Sequence, residues 1–265
     1  MCRQRLDADG RRLVCPAGHS ADAARQGYVT LTAGARPHPG DTAAMVAARE
    51  RFLAAGHYEP VARALALLAA ELVPAAAFAV DVGGGTGYHL AHVLDALPGA
   101  TGVCVDTSAP ALRRAARAHP RAAALGADAW RALPVADGCA DLVTTVFAPR
   151  GEAEVARVLR PGGAWVVLTP LPAHLEQVRA ALGMVAVEER KRERLAADLA
   201  GFDPAAEREL SLVRPLDRAA LRDLVLMGPS AHHIDAAGLE QRLADLPEVV
   251  DVTVAVRLTA VTRPG

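Results

Sequence analysis

Val80-Asp81-Val82-Gly83-Gly84-Gly85-Thr86-Gly87 is a short apolar strand that runs into a glycine-rich turn, and helical text follows from His89 to Leu97. Glycines there let the chain take angles that other residues resist and let a ligand approach the backbone. Upstream, Thr42 to Leu72 reads as two helical stretches interrupted at Gly56-His57-Tyr58, with Pro60 suited to the first turn of the second. Downstream, apolar strand-like runs at Ala79–Val82, Gly102–Val105, Ala123–Leu125, Leu142–Phe147 and Trp165–Leu168 alternate with helical patterns at Ala109–Ala118 and Ala153–Leu159. Strand, helix and strand in series predict an α/β fold with a doubly wound parallel sheet and right-handed crossovers. Beyond Pro170 the pattern predicts helices at His174–Gly183, Glu188–Leu199, Asp217–Leu226 and Ala237–Leu246, a strand at Glu209–Val213, and β-structure at Val249–Val261.

The dinucleotide pattern GxGxxG fails, because Tyr88 stands where its last glycine belongs, which argues against hydride transfer. The loop is instead GxGxG preceded by an acid, Asp81. A second acid, Asp106, ends the next strand and is placed to accept from both hydroxyls of a ribose. A third, Asp128 in Gly126-Ala127-Asp128-Ala129, is placed to receive an adenine amino group. Leu159-Arg160-Pro161-Gly162-Gly163 then precedes another strand. This order resembles the class I S-adenosylmethionine-dependent methyltransferases over about residues 76–170. The resemblance implies a Rossmann-like fold, S-adenosylmethionine as cofactor, and Asp81, Gly83, Asp106 and Asp128 at its site. A methyl sulfonium is already an activated electrophile, so such a protein mainly orients donor and nucleophile and excludes water.

Composition bounds the rest. With 265 residues, 52% of them hydrophobic, the chain can bury a full core. The formal net charge of −1 removes any global argument for nucleic-acid or membrane binding. Only Lys191 among the 29 basic residues is lysine, which points to a GC-rich genome, so arginine abundance is discounted. The absence of a long uncharged stretch and of a signal-like N-terminus predicts a cytoplasmic protein. Four scattered cysteines do not make a disulfide scaffold, and Cys104 and Cys139 read as core residues.

The first 35 residues differ from the remainder. Cys2, Cys15 and His19, the latter two in Cys15-Pro16-Ala17-Gly18-His19, have the shape of a zinc half-site, although three ligands do not close a tetrahedral structural site. Six arginines against three aspartates in residues 1–36 suit phosphate contacts or a solvated surface. The division expected is a zinc-ribbon-like module at 1–35, a helical linker region at 36–75, and the methyltransferase domain at 76–265; RNA recognition by the first and a contribution to the cofactor site from the second are what the fuller resemblance that follows implies. The Arg36-Pro37-His38-Pro39-Gly40 joint separates the first two.

The stretches CPAGH, ARQGYVTL, GDTAAMVAARERFLAAGHY, VDVGGGTGYHLA, VFAPR, RVLRPGG and TPLPAHL together resemble the bacterial 23S rRNA (guanine-N1)-methyltransferases. GGGTGYHL and VFAPR favour the Gram-positive branch that confers resistance to tylosin-type macrolides. The resemblance implies a zinc ribbon that helps recognise hairpin 35 of 23S rRNA and methylation at N1 of a loop guanine. Dimers are common in the family. Carried over by residue, the zinc ligands are Cys2, Cys15 and His19 with the fourth absent from this numbering, and the cofactor contacts are Tyr58, Gly85, Thr86 and His174. Read without the family, Tyr58 equally packs where two helices meet, and His174 equally serves as a cap or surface residue. The slot Val146-Phe147-Ala148-Pro149-Arg150 lacks the Asn/Asp-Pro-Pro-aromatic text used on exocyclic amines and suits a ring nitrogen. Phe147 is the candidate for stacking on an extruded guanine, and Arg150 for stabilising its deprotonated form or gripping a phosphate. The rival readings are a methyltransferase for a small secondary metabolite and a non-catalytic RNA-binding protein.

Overall fold

A computed structural model describes residues 4–31, 38–149, 151–184 and 191–265. Asp7–Asp9 (β1), Arg12–Val14 (β2) and Ser20–Asp22 (β3) form a small antiparallel sheet of their own. Gly10 and Gly18, both at positive φ, turn the chain between them. β1 and β3 escape a reading based on apolar runs because DAD and SAD carry no long aliphatic residue, and β2 offers only Leu13 and Val14. Val29–Thr30 (β4) then leaves the small sheet and adds in parallel to the edge of the main one.

Thr42 accepts from the Met45 amide and starts Ala43–Ala54 (α1), and Gly56 at φ +76° breaks it before Glu59–Leu72 (α2). The alternating series follows: Phe78–Val82 (β5), Tyr88–Ala96 (α3), Thr101–Asp106 (β6), Ala109–Ala115 (α4), Ala122–Gly126 (β7), Ala140–Val146 (β8), Glu152–Val158 (α5) and Leu159–Pro170 (β9). Next come Glu176–Arg179 (α6), Lys191–Asp198 (α7), Asp203–Asp217 (β10), Arg218–Leu226 (α8), a 3-10 turn at Pro229–His232, Ala236–Ala244 (α9) and Val249–Thr262 (β11).

The main sheet runs β10-β11-β9-β8-β5-β6-β7-β4. Every pairing from β9 to β4 is parallel, as expected of the series, whereas β11 is antiparallel to both β9 and β10. The strand expected at 209–213 is really fifteen residues long, paired with β11 from Asp203 opposite Thr262 to Asp217 opposite Val249. Pro204 and Pro215 near its ends and the charged Glu207, Arg208 and Glu209 break the apolar pattern, so only its middle looks like a strand in the sequence. The helix expected at 174–183 contracts to α6, because Leu175 takes φ +60° and the Leu175 amide bonds to the Thr253 carbonyl. Residues 188–190 of the expected charged helix lie outside the described residues; its remainder is α7.

Apolar side chains fill both faces of the sheet. Phe52, Leu65, Leu68, Leu90 and Leu94 pack on one side, Trp165, Val143, Val155 and Leu159 on the other. The indole N–H of Trp165 donates to Thr145 Oγ1 at 3.0 Å, so full burial leaves it satisfied. Arg157 ties down the loop after β7. It donates to the Leu133 and Val135 carbonyls at 2.9 and 2.8 Å and pairs with Glu154 and Asp137. Arg157→Ala strands these acceptors and is expected to cost about 2–3 kcal/mol, read as a lower urea midpoint at unchanged m-value.

Candidate active site

From β5 the chain moves outward through β6 and β7, then returns to place β8 on the other side of β5. Strand order therefore reverses between β5 and β8, and a crevice opens at their C-terminal ends. The glycine loop enters this crevice from β5, and residues 147–149 enter it from β8. Gly83 stands at φ +69°, and a Cβ built there falls 2.5 Å from that of Ala148. The two loops thus touch through the space that this glycine leaves empty. Gly85, at φ +58°, donates its amide to Asp106 Oδ2 at 2.9 Å, and Ser108 donates its own to Oδ1 at 2.7 Å. Asp106 is held at the strand end by both oxygens, each keeping a lone pair. Thr86 lies in the same loop, nearly buried.

Asp81 does not line the crevice: it is fully buried beneath the loop. Thr144 Oγ1 donates to its Oδ1 at 2.8 Å, and its Oδ2, directly under Gly84, has no partner among the described residues. Burial raises the carboxyl to about 6, opposed by the Thr144 bond and reinforced by the charge of Asp106. Because the folded pKa exceeds the unfolded value near 4, the folded state binds the extra proton between those values. Stability from this group therefore falls as pH rises from about 4 to about 6, by about 3 kcal/mol in all. Asp81→Asn is expected to remove that part of the slope in denaturant titrations run across this pH range.

The second cluster is aromatic. Tyr58, placed by the Gly56 break, is buried with its hydroxyl 3.2 Å from His174 Nε2. The Ala255 amide donates to His174 Nδ1 at 3.2 Å, so Nδ1 accepts and Nε2–H faces the Tyr58 oxygen. Burial pushes the Tyr58 phenol up, which keeps it neutral and excludes it as a general base near pH 7. Phe147 stacks on His174 with centroids 5.7 Å apart and planes at 30°, and lies 6.2 Å from Tyr58. It is 41% exposed and sits at φ +50°, a strained conformation for a bulky side chain. Positive φ at a partly exposed aromatic beside the crevice marks a side chain that its surroundings hold in place.

Asp128, two residues beyond β7, is buried but already engaged. Its Oδ1 accepts from the Trp130 amide at 3.0 Å; its Oδ2 accepts from the His38 amide at 3.1 Å and from His38 Nδ1 at 2.7 Å. Against the opposing effect of burial, these bonds hold the carboxyl below the usual range. His38 is a partner that the sequence reading missed. So is Arg49 of α1, whose Nη1 lies 2.9 Å from a Cβ built on Gly85 and pairs with Asp41 at 2.5 Å. An arginine in helical text gives no signal that it leans over another element.

In the N-terminal sheet, Cys15 Sγ lies 3.3 Å from His19 Nδ1, in a turn closed by the Cys15 amide on the His19 carbonyl. Among the described residues no group of three or more His, Cys, Asp or Glu is placed to hold a metal. Cys2 and Arg150 lie outside the described residues. Among those described, no helix is long and apolar enough to cross a membrane.

A glycine loop at a topological switch point, acids at the ends of the next two strands and an antiparallel final strand define a class I methyltransferase. Residues 79–163 match the methyltransferase-domain family. A solved methyltransferase-like structure from Bacillus halodurans aligns with a TM-score of 0.53 at 16% identity, over 77% of this chain and 99% of that one, which speaks to the fold alone. A Micromonospora griseorubida protein named as a 23S rRNA (guanine-N1)-methyltransferase is 50% identical over 95% of this chain and 90% of its own. The 23S rRNA (guanine(748)-N1)-methyltransferase of Streptomyces fradiae is 45% identical over 99% of this chain and 95% of its own. The chain belongs to the family of 23S rRNA (guanine-N1)-methyltransferases.

Proposed function

We propose that this protein methylates N1 of a guanine in hairpin 35 of 23S rRNA, at the position named for the Streptomyces relative, guanine 748, and that the product protects against tylosin-type macrolides. The supporting observation is that 45% identity to that relative runs along 99% of the chain. That alignment takes in the N-terminal and C-terminal segments along with the cofactor half. The same reading makes the protein cytoplasmic and its assembly a homodimer.

The residues of the crevice fit S-adenosylmethionine. The Asp81 oxygen without a partner among the described residues lies under the loop where a cation would offset its charge, and positive-φ glycines leave the backbone open to close approach. The cofactor supplies a methyl group on a positively charged sulfur. Gly83, Gly85 and Thr86 cradle its amino-acid end, Asp106 takes the ribose hydroxyls with its remaining lone pairs, and Asp128 takes the adenine amino group. Tyr58 and His174 brace the methyl-bearing side. Phe147, 41% exposed, would offer its open face to the extruded guanine and orient the ring. Once the N1 proton is lost to solvent, the guanine ring held on Phe147 would be the nucleophile toward which the methyl group is presented. Arg150, three residues beyond Phe147, is the candidate to offset charge on the deprotonated guanine.

Zinc in the N-terminal module rests on Cys15 and His19. Ordinary zinc–sulfur and zinc–nitrogen bonds at a tetrahedral angle put the two donor atoms about 3.6 Å apart, close to the 3.3 Å found. Cys2 is the third donor in this reading. Cys15→Ser is expected to lose the metal from the purified chain, measured by elemental analysis, while S-adenosylhomocysteine binding persists.

The decisive experiment is incubation with labelled S-adenosylmethionine and undermethylated 23S rRNA, mapped by primer-extension stop and nucleoside mass spectrometry. A stop at guanine 748 with 1-methylguanosine supports the proposal. Cofactor binding without RNA label overturns it.

A further inference from the structure

The segment from His38 to Asp41 lies across the ends of β6 and β7 and does there what a ligand would do. At one end, the His38 amide and Nδ1 both bond to Asp128 Oδ2. At the other, the Asp41 carboxylate pairs with Arg49 at 2.5 Å, and that guanidinium leans on Gly85 of the glycine loop. Between them the segment is seated closely. A Cβ on Gly40 would fall 2.7 Å from the Ser108 amide nitrogen, and Ser108 Oγ donates to the Asp41 carbonyl at 2.6 Å. Asp41 is also near enough to Asp106 for its charge to add to the rise of that carboxyl, behind the larger effect of burial.

An adenosyl amino acid carries the same two chemistries at its two ends. Its adenine amino group is a donor seeking a carboxylate, and its α-carboxylate seeks a cation beside the glycine loop. We propose that Arg49 is the ligand of the cofactor carboxylate, and that residues 38–41 are an internal stand-in for the cofactor, holding Arg49 and Asp128 until the cofactor displaces them. The proposal rests on the cofactor reading above. Four residues reach far enough, since three peptide units span about 10 Å when extended. The strap also links the site to the N-terminal module. β4 pairs with β7 next to Asp128, and the Leu31 amide donates to the Gly126 carbonyl at 2.7 Å.

Calorimetry on the full chain tests this with two probes, S-adenosylhomocysteine and methylthioadenosine, which lacks the amino-acid end. His38→Ala removes one of the two bonds that compete for Asp128 and is expected to tighten S-adenosylhomocysteine binding about tenfold. Unchanged or weaker binding overturns the stand-in. Arg49→Gln is expected to weaken S-adenosylhomocysteine at least about tenfold and to leave methylthioadenosine within about twofold. Equal losses for both probes overturn the carboxylate role. Hydrogen exchange on the unmodified protein needs no variant to fold: S-adenosylhomocysteine is expected to speed exchange in the peptide spanning residues 38–41, and slower or unchanged exchange overturns displacement. A wild-type chain that binds neither probe overturns the cofactor reading itself, which the other failures leave standing.

Discussion

Gly83→Ala is expected to lower methylation of a 23S rRNA transcript by at least about 100-fold and to weaken S-adenosylhomocysteine binding with it. Two independent penalties meet at this residue. The left-handed backbone costs about 1–2 kcal/mol for any residue with a Cβ. The new methyl group would also lie 2.5 Å from Ala148 Cβ, well inside contact distance, so the loops after β5 and β8 must move apart. The first loop positions the cofactor and the second carries Phe147. A displacement of about 1 Å between reacting groups is enough for a 100-fold loss. The variant should still fold, because the backbone penalty of about 1–2 kcal/mol lies within a domain's stability of about 5–15 kcal/mol and the clash is relieved by parting two surface loops. Circular dichroism with a Tm lowered by only a few degrees, beside lost binding in calorimetry, would separate a misplaced loop from an unfolded chain. Activity within a few-fold of wild type would show that the two loops need not touch.

Phe147→Ala is expected to reduce kcat/KM for the RNA about 10- to 100-fold, the range for losing one aromatic that stacks on a base. S-adenosylhomocysteine binding should change by less than about threefold, since Tyr58 and His174, on which the ring packs, are also held by their mutual contact at 3.2 Å and by the Ala255 amide. Phe147→Trp should keep most of the activity. Phe147→Gly separates strain from function. It relieves the φ of +50° and still removes the ring, so it should lose activity as alanine does while melting higher than alanine. Comparable losses in RNA methylation and in S-adenosylhomocysteine affinity would move Phe147 from the guanine side of the site to the cofactor side.

The cofactor half of the site was legible because its signals are short and local. Gly83, Gly85 and Thr86 follow β5, Asp106 ends β6 and Asp128 lies two residues beyond β7, each at a spacing that the alternation of strand and helix imposes. Asp81 was legible as an acid but not in its setting. Its place under the loop, with Thr144 on one oxygen and no described residue on the other, depends on β8 lying beside β5. Tyr58 and His174 were drawn together by family resemblance alone. No periodicity relates residues 116 apart, and their contact at 3.2 Å depends on the α1–α2 break and on β11 presenting the Ala255 amide.

By itself the sequence determined the parallel core, the glycine loop and the order of acids around it. Backbone preference and side-chain period are properties of a few consecutive residues and survive without tertiary context. Tertiary structure decided the length of β10, the joining of β4 to the sheet edge, the strain at Phe147, and the capture of Asp128 and Arg49 by residues 38–41. Each of these depends on a hydrogen bond or close approach between distant segments, whose partner is chosen by packing of the whole sheet and leaves no trace in local composition.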